Sequence, residues 1–356
     1  MSISERKIDH LSIVSKEKVE AKIQTTWLEY VKLIHKAAPG ISFDEVDTSV
    51  TFLGNRLSAP LVIDSMTGGA EEAREINGKL AEAASALGIG MGVGSQRSAL
   101  KNPELSDTFS VVRETAPDLF VMANVGGAQI AAGMSLDDIK KIIDMVKANA
   151  LAVHLNPLQE LIQPEGDTNF AGVVPKIGEI ARAVQVPVIV KEVGAGISRE
   201  MALELHMAGV SAINVAGVGG TSWAVIEGIR AKKSGNREKF ELSETFAEWG
   251  IPTAASILEV RSVSNIPLIA SGGIRNGLDV ARAISIGADI SAMALPVMKA
   301  VLKGGSEGAK KLLSKAILEY RSALFLTGSR TTSELKKKRK ILLGPLGEWA
   351  RSVGIQ

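Results

Sequence analysis

From about residue 60 onward, short apolar or β-branched runs alternate with stretches of helical periodicity, the order that builds a parallel sheet with crossover helices. The runs fall at residues 60–65 (PLVIDS), 89–93, 119–124, 150–155, 187–192, 212–215, 267–271 and 289–293. Between them, residues 71–87 put Ala73, Ile76, Leu80, Ala83, Ala84 and Leu87 on one helix face. Residues 135–147 open on Ser135 followed by Asp137 and Asp138, a helix-start signal. Residues 198–207, 253–263, 278–286 and 309–326 read as helices too. Eight such units in one unbroken array predict an α/β fold, a single (β/α)8 TIM barrel, over a doubly wound open sheet. Aromatic residues are only 4% of the chain, so the core must be aliphatic.

A barrel takes roughly 250 residues, which leaves about 100 of the 356 for attachments. With the barrel at 60–326, they divide into an N-terminal extension (1–59), a long sixth βα loop (216–252) and a C-terminal tail (327–356). The extension suggests a helix around 19–37 and a hairpin at 48–57. Loops as long as the sixth are usually functional; this one holds GVGGTSWAVIEGIR and then the polar tract 232–239. The tail carries KKKRK at 336–340, which reads as a solvated helix face.

Lys plus Arg is 41 and Asp plus Glu is 39, so a net charge of +2 offers no electrostatic case for nucleic acid. The absence of cysteine excludes disulfides, thiolate nucleophiles and cysteine-ligated zinc or iron–sulfur clusters. The N-terminus MSISERKIDHL lacks an apolar signal region, and no apolar run reaches the ~18 residues of a membrane span. A cytoplasmic chain without membrane partners is expected.

In a (β/α)8 barrel, chemistry gathers beyond the C-terminal strand ends. A Gly-Gly turn after strand 7 (Gly272, Gly273) and the helix start after strand 8 (Ala294, Leu295) suit a phosphate, through bare N–H groups and a favourable dipole. Lys191 ends an apolar strand and should face the mouth, as a Schiff-base nucleophile, a phosphate ligand or the partner of an anionic ring. Thr67, Ser95 and Asn124 are polar groups on neighbouring strand ends, and together they suit a heteroaromatic ring such as a flavin. In HLNPLQE, His154 and Asn156 point to the mouth by alternation. Glu160 is a lone carboxylate of the kind that suits Mg2+. Trp223 and Glu227 stand four apart, on one face of a helix capping the mouth, and Glu227 is a candidate acid/base. Taken alone, Arg6, Lys7 and His10 read as a solvated tail.

Together the segments resemble type 2 isopentenyl diphosphate isomerase, the FMN-dependent enzyme family. The matching pieces are ERKIDHL (5–11), SMTGG (65–69), GVGSQR (92–97), ANVGG (123–127), HLNPLQE (154–160), VKEVG (190–194), GVGGTSWAVIE (217–227) and SGGIRNGLDVARAI (271–284). The resemblance implies FMN, Mg2+ and a net redox-neutral conversion of isopentenyl diphosphate to dimethylallyl diphosphate. Reduced flavin would act as acid/base, Mg2+ would sit on the diphosphate, and NAD(P)H would serve only to reduce the flavin. By the same resemblance, Ser65, Met66, Thr67, Ser95, Asn124, Lys191 and Thr221 hold the flavin. Gly272, Gly273, Ala294 and Leu295 take its phosphate. Arg6, Lys7, Arg97, His154 and Asn156 bind the diphosphate, with Arg6 and Lys7 arriving from the same or a neighbouring subunit. Gln159 touches substrate, Glu160 holds Mg2+, and Gln159, Glu227 and His154 are the catalytic candidates. A homotetramer or homo-octamer is expected.

Three rivals remain in view. An FMN-dependent 2-hydroxyacid oxidase wants a histidine base after strand 6, where this chain has AGVGGTSW. A flavin-free phosphate-binding lyase would use Lys191 as a Schiff base. A non-catalytic ligand binder fits poorly with polar groups at nearly every strand end.

Overall fold

The computed structural model describes residues 3–355. Its centre is a closed barrel of parallel strands: β1 Leu61–Ile63, β2 Gly90–Gly92, β3 Val121–Gly126, β4 Ala150–His154, β5 Val188–Lys191, β6 Ala212–Asn214, β7 Leu268–Ala270 and β8 Ile290–Met293. Neighbours pair in chain order, and β8 closes on β1 through the register Ser291↔Leu61, Ala292↔Val62 and Met293↔Ile63. All eight runs read from the sequence are strands, within a residue or two of the expected ends.

Alternation along the strands sorts two cores. Leu61, Ile63, Val121, Ala123, Val188, Val190, Leu268 and Ala270 pack outward against the helices. Val62, Met122, Ile189, Ala212, Ile269 and Ile290 point inward. The barrel floor is closed by the hairpin Val50–Phe52/Asn55–Leu57, whose Phe52 and Leu57 join the inward cluster. Its turn, Leu53 (φ 46°) and Gly54 (φ 79°), has the left-handed pair that matches strand twist. Polar chemistry is therefore confined to the opposite, C-terminal end of the barrel.

The extension differs from expectation. No helix spans 19–37; the chain runs extended past the sixth loop, with Ala21 N bonded to Gly220 O at 2.9 Å and Ser222 N to Val19 O at 2.8 Å. Trp27 is left-handed (φ 59°), and the hydroxyls of Thr25 and Thr26 accept from the backbone N–H groups of Trp27 and Leu28. Such local bonds compete with a helix. The helix lies earlier, at Ile3–Lys16, where a solvated tail was expected. Ile13 and Val19 pack there against Ile226 and Leu295.

The sixth loop folds into two helices, Trp223–Lys233 and Arg237–Thr245. The last barrel helix runs Leu295–Leu326, interrupted at Gly304 and Gly305 by non-helical backbone. It starts well before residue 309. KKKRK is no solvated helix face: the helix Thr332–Lys337 ends inside it, Lys336 pairs with Asp289, and Lys340–Leu342 forms a strand against Val31–Leu33. A backbone ladder and an ion pair hold what looked like a plain charge run. Among the described residues, no helix is long and apolar enough to cross a membrane.

One buried side chain fixes the mouth end of β3. Gln96 donates its backbone N–H to Asn124 O (3.0 Å), accepts from Asn124 N through Oε1 (3.0 Å) and donates from Nε2 to Ile142 O (2.8 Å). Gln96→Leu strands a buried N–H and a buried C=O, each worth about 1–3 kcal/mol. The expected result is a loss of roughly 2–4 kcal/mol, read as a lower urea midpoint at unchanged slope.

Candidate functional site

The inward register continues past each apolar layer into polar residues. Two positions beyond Val62, Met122, Ile189, Ala212 and Ile269 stand Asp64, Asn124, Lys191, Asn214 and Ser271; His154 follows Ala152 in the same way. Alternation thus delivers a ring of polar groups to the barrel mouth. They floor a cavity walled by the N-terminal helix on one side and the βα loops on the other.

Nearly every expected site residue meets there. Ser65, Met66, Thr67, Ser95, Asn124, Lys191 and Thr221 line this cavity, as do Gly272, Gly273, Ala294 and Leu295. So do Arg6, Lys7, Arg97, His154, Asn156, Gln159 and Glu160, with Arg6 and Lys7 supplied by this same chain. Glu227 is not among the lining residues. It is fully buried, 2.9 Å from His10 Nε2 and 2.6 Å from Arg230 Nη1, and accepts from Gln159 Nε2 at 3.1 Å. The helical spacing with Trp223 is as read, but this carboxylate faces the seam between helices, because Arg230 and His10 both lie there. His10 hydrogen bonds and ion pairing hold Glu227 below the usual carboxylate range, although burial opposes them.

Of the cavity cations, Lys191 faces the Asp64 carboxylate at 3.8 Å, whereas Lys7 meets only neutral oxygens. Lys7 Nζ donates to Ser95 O (2.8 Å), Ser98 Oγ (3.2 Å) and Gly68 O, all neutral oxygens, and rests 5.2 Å from the Phe109 ring. Burial, then the neighbouring Arg6 charge, lower its pKa to about 7. His154 Nδ1 lies 2.7 Å from Asn124 Oδ1, an acceptor, so Nδ1 carries the proton and Nε2 has the lone pair. Burial, with Lys191, Lys7 and Arg6 nearby, drives the imidazole down to about 3 and keeps it neutral.

Several groups wait for a ligand. Ser65 Oγ and Asn156 Oδ1 are buried without a protein partner. The Leu295–Leu326 helix begins at the cavity with no side-chain cap, so its first N–H groups are available. Gly272 (φ 90°) and Gly273 (φ 73°) form a left-handed turn beside it. A Cβ on Gly272 would come 2.1 Å from Gly217 O, so close packing of two loops needs this glycine as well. An anion-accepting helix end, a bare turn and unpartnered polar atoms fit a phosphorylated heteroaromatic group such as FMN. Glu160 accepts from Asn156 Nδ2 (3.1 Å) and Asp167 N (2.7 Å). No cluster of three metal-binding side chains occurs among the described residues, so an ion here would rest on Glu160, water and ligand oxygens.

Two nearby nests are already filled by the protein. The Glu192 carboxylate accepts from the N–H groups of Val193, Gly194 and Ala195, and Glu248 from those of Lys22, Ile23 and Gln24. Sequence reasoning assigned no role to these residues, nor to Gln96, Arg230, Asp64 and Asn214. For Asp64 and Asn214 the signal was present: each lies two positions beyond an inward apolar residue.

Residues 155–341 match the FMN-dependent dehydrogenase family. Curated relatives named isopentenyl-diphosphate delta-isomerase span almost the entire chain. That of Ignicoccus hospitalis is 46% identical over 100% of this chain and 98% of its own. Those of Methanosarcina acetivorans (96% and 92% covered) and Nostoc sp. (93% and 93%) are each 48% identical. Among solved structures, a mandelate oxidase with a monooxide FMN adduct aligns at TM-score 0.63 and 18% identity, covering 94% of this chain and 92% of that one. A lactate oxidase of Pediococcus acidilactici aligns at 0.64 and 17%, covering 91% and 88%. At such identity these last two bear on the fold alone. The chain therefore belongs to the isopentenyl-diphosphate delta-isomerase family and is an isomerase built on the FMN-dependent dehydrogenase barrel.

Proposed function

We propose that this chain converts isopentenyl diphosphate to dimethylallyl diphosphate with bound FMN, Mg2+ on the diphosphate, and NAD(P)H needed only to bring the flavin to its reduced state. The family supports the reaction. The observation that carries the substrate reading is Lys7, a half-buried ammonium held by three neutral oxygens in the same lining as Arg6 and Arg97. Such a cation is complete only with an anion, and a diphosphate supplies several charges at once.

Reduced flavin supplies the electron-rich acid/base surface that an unactivated alkene needs. The protein's own part is binding, orientation and dryness. Lys191, Asn124, Ser95 and Thr67 hold the ring, Ser65, Met66 and Thr221 complete its bed, and the turn at Gly272–Gly273 with the Leu295 helix start holds its phosphate. Arg6, Lys7, Arg97 and Asn156 clamp the diphosphate. Neutral His154 offers its Nε2 lone pair as an acceptor. Glu160 is the protein ligand of Mg2+. Gln159 bridges the cavity to Glu227, which holds its amide in place. The helices Ile3–Lys16 and Trp223–Lys233 exclude water from above. The extension (1–59), the sixth loop (216–252) and the tail (327–356) act as attachments to a single barrel (60–326), in a cytoplasmic homo-oligomer.

The deciding test is anaerobic incubation of reduced, FMN-loaded protein with isopentenyl diphosphate and Mg2+, assayed for the dimethylallyl isomer. A colourless protein that takes up no FMN would overturn the reading. Glu160→Gln should keep FMN but lose Mg2+-dependent turnover, roughly 100-fold in kcat/KM or about 2.7 kcal/mol; unchanged turnover removes Glu160 as the metal ligand.

Lys7 makes a pH prediction. Its folded pKa of about 7 lies below the ordinary lysine value of 10.5, so between those values the unfolded chain binds the extra proton and the ligand-free fold gains stability as pH rises. Diphosphate binding restores the ammonium and takes up that proton. Affinity for isopentenyl diphosphate should therefore fall above pH 7, by up to about tenfold per unit. In Lys7→Met the slope should flatten, as calorimetric titration across pH 7–9 would show.

A further inference from the structure

Asp64 and Glu160 are the carboxylates lining the cavity among the described residues, and Asp64 has no part in the functions assigned above. It is a buried side chain at the end of β1, while its partners come from across the mouth. Lys191 Nζ, at the end of β5, stands 3.8 Å from Oδ1. Asn214 Nδ2, at the end of β6, stands 3.3 Å from Oδ2 and 3.5 Å from Oδ1. Ser65 N donates to Oδ1 at 2.8 Å.

The orientation of Asn214 is not arbitrary. Its Oδ1 accepts from Ser271 Oγ at 2.6 Å, which turns the amide nitrogen toward Asp64. Ser271 is fixed in turn, since Thr253 Oγ1 reaches its carbonyl oxygen at 3.3 Å. An ammonium, an amide N–H and a backbone N–H converge on one carboxylate. Four strands thus cooperate to keep one negative charge beside Lys191 on the cavity floor.

We infer that Asp64 is a positioning residue that sets how much of the Lys191 charge reaches a ring bound in the cavity, and thereby tunes the reduction potential of FMN. This rests on the FMN reading above. An isolated ammonium against a flavin favours the electron-rich reduced form and raises the midpoint potential. An ammonium paired at 3.8 Å presents a dipole instead of a full charge, and in a poorly solvated floor the difference is large. A merely structural strut would act differently. Asn is nearly isosteric with Asp and still accepts from Ser65 N, so it would hold Lys191 in place while removing the charge.

The test measures the two-electron midpoint potential of FMN bound to the full chain, equilibrated anaerobically with a redox dye. Asp64→Asn is expected to shift it upward, by tenfold or more in the reduced-to-oxidised ratio at fixed ambient potential, which is about 30 mV. Lys191→Met, assayed at saturating FMN, is expected to shift it downward, and the double variant to return near wild type. A midpoint unchanged in Asp64→Asn overturns the inference. Where Asp64→Asn gives no folded protein, Asn214→Ala replaces it. Loss of the amide donor leaves the Asp64 charge stronger, so the midpoint should fall; no shift, or a rise, overturns the inference. Wild-type protein that binds FMN and isomerises substrate while the variants keep its midpoint sinks this inference alone. Wild-type protein that binds no FMN sinks the functional reading with it.

Discussion

Arg6, Lys7, Arg97 and Lys191 gather around one neutral imidazole at the mouth of this barrel, and positive charges in a poorly solvated space repel one another. Burial first, and that repulsion after it, depress the pKa values of Lys7 and His154. Something in the fold must hold the cations together. Two of them ride on the Ile3–Lys16 helix, and it is anchored by apolar contact: Ile13 and Val19 against Ile226 and Leu295. At roughly 1.5–3 kcal/mol for each fully buried side chain, this is the right scale to oppose the repulsion. The Asp9–Arg230 and His10–Glu227 pairs add direction to it. An arriving anion then relaxes the strain and binds only the folded state, so ligand binding and stability are linked.

The same arrangement explains why Glu227 lies where it does. Among the described residues the cavity lining already holds two carboxylates, Glu160 and, beside Lys191, Asp64, and Glu227 does not add a third. Set behind the wall, it neutralises Arg230 and His10 and steadies Gln159, and the cavity keeps its positive character. The barrel itself is shared with flavin-dependent oxidases of less than 20% identity. In this chain an N-terminal helix and the helices of the sixth loop stand above the strands, and the cavity lies beneath them.

Much of this was legible in the sequence, for a physical reason. Strands buried on both faces must be almost wholly apolar, so PLVID, ALAVH and PVIVK stand out from their surroundings. Their C-terminal ends then place Ser65, Asn124, His154 and Lys191 without further information. The errors fall where long-range partners override local pattern. Residues 19–37 look helical until the sixth loop offers Val19 and Ala21 a backbone to pair with. The basic run at 336–340 looks solvated until Asp289 and the strand Val31–Leu33 meet it. Asn214 and Asp64 lie within reach of a period-two reading, each two positions beyond an inward apolar residue, but three-residue strands carry too short an alternation to mark them.

The filled nests have a bearing on selectivity. Backbone N–H groups pointing together will take any oxyanion of suitable size, and free phosphate is everywhere in a cell. Glu192 and Glu248 act as tethered competitors, each present at an effective concentration no dissolved ion can match. The donors around residues 193–195 and 22–24 are thus permanently withdrawn from solution anions, although both segments adjoin the barrel mouth. The uncapped start of the Leu295–Leu326 helix has no such resident carboxylate. On the proposed reading, this leaves that helix start as the end open to a phosphate group, since the neighbouring nests are occupied from within.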